Sequence, residues 1–163
     1  MDSQALVLTR RFAIPAAIWA YLFAAINLYW GIGGTFAIET LGDGIAALAG
    51  VQDKELLLVN WISVAGKFAL GVLALSSLLS LRGKASSLLQ VALWVAGVLL
   101  ALYGTGNFIQ HALMLTGSVP VARLLGSLDA VRWHMFLWDP LWLIGGVLFL
   151  LLANNYRKTK RAF

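Results

Sequence analysis

The sequence predicts an all-α integral membrane protein, a bundle of four transmembrane helices with both termini cytoplasmic. Two observations carry this. Hydrophobic residues make up 61% of the 163 and charged residues only 12%, about half the charged share of a soluble domain, and mean hydropathy is +0.85. The apolar residues also gather into four stretches, 12–38, 56–81, 88–115 and 133–154, each long enough for the roughly 20 helical residues that cross a hydrocarbon core.

Each stretch is expected to be a helix, because an unpaired peptide group in lipid is too costly, and the period-2 alternation of a barrel strand is missing. Span one follows Arg10 and Arg11; Thr9-Arg10-Arg11-Phe12 looks like a twin-arginine export signal, but the apolar run after it is too long for a signal core. Span two ends at the basic turn holding Arg82 and Lys84, and span three returns to the other side. Span four starts beside Arg132 and ends before Arg157, Lys158, Lys160 and Arg161. Those eight basic residues at the termini and the 82–84 turn define the cytoplasmic side. Segments 39–55 and 117–132 carry most of the acids, Glu39, Asp43, Asp53, Glu55 and Asp129, and are expected to be extracytoplasmic. Within the first, 45–51 is apolar enough to lie in the interface and too short to cross. No repeat or linker divides residues 1–163, which read as a single domain. The net charge of +5 is explained by topology and anionic lipid, with no nucleic-acid motif. With no cysteine, disulfide scaffolds, zinc–thiolate sites and iron–sulfur clusters are excluded.

An ionisable residue at membrane depth costs a few kcal/mol and asks for a partner or a purpose. Two stand out. Lys67 is near the middle of span two, on a small or polar stripe of Asn60, Ser63, Lys67, Gly71 and Ala74 that should face other helices. Asp139 is in span four, where Pro140 has no N–H for the carbonyl of Phe136 and crowds it, so a kink is expected beside the acid. A buried carboxyl there either keeps its proton or is neutralised, with Lys67 and Arg132 as the candidate cations. Asp139, Trp142 and Gly146 share one face, and His134, Trp138 and Gly145 its neighbour. Span one offers Ala20, Ala24, Asn27, Gly31 and Gly34 beside Tyr29 and Trp30; span three offers Gly97, Ala101, Gly104, Asn107 and His111. Nearly all the polar side chains fall in the outer half, with Lys67 as its floor.

The boxes Asn27-Leu28-Tyr29-Trp30-Gly31-Ile32-Gly33-Gly34 and Trp138-Asp139-Pro140-Leu141-Trp142-Leu143-Ile144-Gly145-Gly146 resemble those of a family of small, four-span bacterial membrane proteins known only as a domain of unknown function. The resemblance covers most of the chain. It implies a four-helix domain in a bacterial inner membrane and brings no catalytic residues with it.

The first functional reading is an enzyme or binding protein for a lipophilic, isoprenoid- or lipid-like molecule. A buried acid can protonate an alkene or epoxide, and aromatic faces can stabilise the cation that develops. Asp139 would be the proton donor, Glu39 or His134 its relay, and Trp30, Trp138 and Trp142 the walls. Asn27, Tyr29, Asn107, His111 and Lys67 would complete the substrate pocket. In composition this resembles the pockets of membrane terpene cyclases and sterol isomerases, a likeness of chemistry rather than sequence. The second reading is a small proton- or ion-coupled transporter in which Lys67 and Asp139 exchange partners, with a homodimer enlarging the unit. A b-type haem between His111 and His134 and a structural assembly subunit are the remaining readings. No cofactor or metal is expected from the leading one; its partners are membrane lipid and the lipophilic ligand.

Overall fold

The computed structural model describes residues 3–80 and 87–161, with the side chains of 3–6, 8, 80 and 159–161 left undescribed. The described residues are helical with no strand. The long helices are α1 (Ser3–Gly31), α3 (Lys54–Ser80), α4 (Ser87–Leu115) and α6 (Asp139–Arg161). Between them are the short α2 (Asp43–Gly50) and α5 (Leu128–Trp133), a 3-10 turn (Ile38–Leu41) and a π-helical turn (His134–Trp138). Four segments are long and apolar enough to cross a membrane: Thr9–Gly31, Lys54–Leu79, Ser87–Leu115 and Leu128–Lys158, the last running through α5, the π turn and α6. The turn expected at Arg82 and Lys84 lies outside the described residues.

Span one is shorter than its apolar run. The expected helix to residue 38 stops at Gly31, where Gly33 at φ +96 turns the chain. Gly34 N–H donates to the Tyr29 carbonyl at 2.9 Å and Gly33 N–H to that of Trp30 at 3.0 Å, the paired bonds of a Schellman cap. Residues 32–38 then fold back, with the Trp30 indole donating to the Phe36 carbonyl at 3.0 Å. The apolar piece around 45–51 forms α2. Asp43 and Gly44 N–H groups donate to Leu125 and Leu124 carbonyls at 2.9 and 3.1 Å, tying the two long connections together.

The helices pack with α1 between α3 and α6 and with α4 on the far side of α6; α3 and α4 scarcely touch. Small residues set these distances. On α4, a Cβ at Gly97 would lie 2.8 Å from the backbone N of Leu150, and one at Gly104 would lie 2.9 Å from that of Leu143. Gly146 answers against Ala101. On the other face of α6, Gly145 takes the ring of Trp19, whose indole donates to the Leu141 carbonyl at 2.8 Å. Away from the connections the core is Ala13, Ala16, Ala17, Phe149, Leu152, Ala153 and Tyr156. Val59, Ile62, Phe68 and Val72 on α3, and Val91, Leu99, Leu102 and Ile109 on α4, are exposed, as lipid-facing residues would be.

Candidate functional site

The polar stripe of α3 faces α1. Asn60 Nδ2 donates to the Asn27 carbonyl at 2.8 Å, and Ser63 Oγ donates to Asn27 Oδ1 at 3.4 Å. Lys67 Nζ donates to Asn27 Oδ1 and to Ser63 Oγ. The ammonium also lies 4.9 Å from the Trp142 ring centre and 5.9 Å from that of Phe23, a distance at which a ring face attracts a cation. Lys67 is buried, and among the described residues no carboxylate pairs with it. Lys67 and Asp139 are not paired with each other in this structure.

Above this group is a cavity of about 370 Å³, bounded by the end of α1, the returning segment, α2 and the start of α3. Its walls are mostly apolar, among them Trp30, Ile38, Leu41, Ile45 and Leu57, and it descends to Asn27, Asn60 and Ser63. That is within the range of small-molecule sites. Of the side chains expected to line a pocket, Asn27 and Trp30 do so. Trp138 and Trp142 instead fill the aromatic core between α1, α4 and α6. Trp138 meets Trp30 at 5.8 Å and Phe23 at 6.2 Å, and Trp142 meets Tyr103 at 4.9 Å. They are packed because α6 lies directly against α1, leaving no gap for them to face. The Trp138 indole donates to Thr40 Oγ1 at 3.1 Å. Tyr29 caps the fold-back, its hydroxyl accepting from Phe36 N–H at 3.3 Å, and Asn107 is half-buried on α4 away from the cavity.

Asp139 forms a second, separate group. Its carboxyl is fully buried, and Oδ2 shares a 2.7 Å hydrogen bond with His111 Nδ1 across the α4–α6 contact. Oδ1 is buried with no hydrogen-bond partner among the described residues. The expected cations do not reach it: Lys67 is held by Asn27, and Arg132 pairs with Asp129 at 2.7 Å on the exposed side. Glu39 is exposed in the 3-10 turn and makes no bond to Asp139, so it is not placed as a relay. His134 is close, its ring 4.8 Å from that of His111 at a 38° tilt. Rings so near each other leave no space for a porphyrin between them, and the bis-histidine haem arrangement does not fit.

The kink expected at Pro140 is the π turn. Asp139 N–H reaches back five residues to the His134 carbonyl, which widens the helix where Pro140 has no N–H to offer. In an α-helix, residues five apart point about 140° apart. In a π turn of roughly 4.4 residues the angle falls to about 50°, so His134 and Asp139 share a face. The ligand-type atoms of His111, His134 and Asp139 all lie within 4.8 Å of one another.

Ser63, the Leu41 carbonyl and the α2 wall were not among the expected site residues. Ser63 was readable from its spacing of four before Lys67 on one helix face; the Leu41 and α2 contributions follow from the docking of two connections and leave no local pattern.

Fold and sites together define a small multi-pass helical membrane protein with two buried polar groups, one around Lys67 and one around Asp139. Residues 20–149 match the family described as "Protein of unknown function (DUF3995)", and the chain belongs to that family. No curated protein and no solved structure matches it.

Proposed function

We propose that the chain binds a lipophilic molecule with an anionic head, in a bacterial inner membrane with both termini cytoplasmic and the cavity in the outer half. One observation carries this reading: an apolar cavity ends on Asn27, Asn60 and Ser63, and directly behind Asn27 and Ser63 is the cation of Lys67, which no carboxylate among the described residues pairs. A buried charge without a counter-ion favours a ligand that brings one. The apolar walls take a chain, and the amide N–H groups of Asn27 and Asn60 take the head's remaining lone pairs. Asp139 has no part in this pocket, so proton-initiated cyclisation is not carried forward; any chemistry on the bound molecule would use groups at the polar floor.

The test is binding of dodecanoate, dodecyl phosphate and methyl dodecanoate to the purified chain in nanodiscs. Expected is at least tenfold preference for the anionic heads over the ester, a preference lost in Lys67→Met. Ala49→Trp, which fills the cavity from α2 without touching the floor, should weaken all three. Equal affinity for acid and ester in the wild type would overturn the reading.

A further inference from the structure

We propose that His111, His134 and Asp139 form a binding site for a divalent first-row transition-metal ion such as Zn²⁺ or Fe²⁺, held between α4 and the π turn. Four independent features converge there. The three side chains come from three elements, α4, the π turn and the start of α6, and bring their ligand-type atoms within 4.8 Å of each other. Asp139 is fully buried, yet its Oδ1 has no partner among the described residues; such an orphan in a folded chain asks for an explanation, and a bound ion is one. The π turn, an uncommon conformation that tends to occur at functional sites, swings His134 onto the same face as Asp139. Finally, His134 Nε2 lies 3.0 Å from the Leu41 carbonyl. A carbonyl can only accept, so Nε2 carries a hydrogen, and in the neutral ring Nδ1 is then the lone-pair nitrogen. Fixing a histidine through its other nitrogen on a backbone carbonyl is how metal-binding imidazoles are oriented.

The donor set selects the class of ion. Two imidazoles and one carboxylate suit zinc or ferrous iron rather than calcium or magnesium, which take oxygen, or cuprous ion, which prefers sulfur. Ligand bonds of about 2.0–2.2 Å place donor atoms roughly 3.0–3.6 Å apart. The His111–Asp139 pair at 2.7 Å therefore opens slightly, and the wider separations close by side-chain rotation. The ion takes the place of the hydrogen now shared by His111 and Asp139. That proton leaves to solvent, and the two positive charges of the ion meet the one negative charge of Asp139. Three protein ligands leave at least one coordination position open, the arrangement of a site that binds an exchangeable water or substrate atom. The half-buried His134 gives the access route, since His111 and Asp139 are closed to solvent.

The experiment uses the full chain in detergent, stripped with chelator and titrated with Co²⁺ as a spectroscopic probe and Zn²⁺ as competitor. Expected are visible d–d bands saturating at one Co²⁺ per chain, bleached by Zn²⁺, with affinity lowered at least tenfold in His134→Ala and in Asp139→Asn. Gel filtration checks each variant; should Asp139→Asn not fold, the partly exposed His134→Ala decides. Failure of the folded wild-type chain to bind Co²⁺ stoichiometrically, or unchanged affinity in folded His134→Ala, overturns the proposal.

Discussion

His111 and Asp139 are joined by a 2.7 Å hydrogen bond between α4 and α6, a contact where Gly97, Gly104 and Gly146 let the backbones approach. Removing one member of a buried pair strands the other, a loss of about 3–5 kcal/mol, whereas replacing both with apolar residues is often neutral. Asp139→Leu and His111→Leu should each lower thermal stability in chelator-treated protein, and the double variant should recover most of the loss. A double-mutant cycle by thermal unfolding measures the coupling. Additive losses would mean that the two residues act independently.

Lys67 depends on Asn27 in the same way, with a different consequence. Asn27 Oδ1 accepts from both Lys67 and Ser63, so Asn27→Leu removes one oxygen from a buried ammonium and leaves Ser63 Oγ and the Trp142 face. Hydrogen bonds to charged groups contribute about 1.5–3 kcal/mol, and a loss of that size is expected. Combining Asn27→Leu with Lys67→Met should cost less than the sum. Unfolding of the four proteins in one detergent is the measurement.

Glycines separate into those that touch a neighbour and those that do not. A Cβ at Gly146 would lie 2.6 Å from the Ala101 backbone N, whereas one at Gly106 meets nothing within 4 Å. Gly146→Val should destabilise by about 1–3 kcal/mol or more, since rigid backbone must give. Gly106→Val should stay within about 0.5 kcal/mol of the parent. Because Gly146 and Asp139 lie on one face of α6, the first variant should also weaken the His111 coupling in the cycle above, and the second should leave it intact.

These contrasts show which parts of the structure were legible. The four helices and the inward stripe of Asn60, Ser63 and Lys67 follow from hydropathy and helical spacing, which are local. The partner of Asp139 depends on the register between α4 and α6. Gly97 opposite Leu150 and Gly104 opposite Leu143 step seven residues each way. A further step from Gly104 reaches His111 opposite Phe136, one turn from Asp139. That register is invisible until two glycines are paired, and it is then shifted by the π turn. Pro140 announces a kink; that the helix takes it up as an extra backbone residue, turning His134 towards Asp139, has no separate signature. The end of α1 is hidden from the sequence because hydropathy continues through 32–38 while the helix stops at Gly31, the chain turning at Gly33. The cavity exists because of that stop, since the returning segment and α2 build its walls.

Orientation rests on charge, and the absence of native cysteine makes it directly measurable. Arg10, Arg11, Arg157 and Lys158 lie at the end of the bundle opposite the cavity, all solvent-accessible; basic residues flanking spans are retained in the cytoplasm. Val51, 76% exposed in the α2–α3 connection, is at the other end. A membrane-impermeant maleimide should label Val51→Cys in intact spheroplasts and should label Lys158→Cys only after lysis. The reverse pattern would turn the cavity towards the cytoplasm, and a ligand would then have to be delivered from inside the cell rather than from the outer leaflet. Pre-incubation with dodecanoate should also slow labelling of an added cysteine at Ile45, which lines the cavity, and should leave Val51→Cys unaffected, so the same reagent reports both the side from which the cavity opens and whether it is filled.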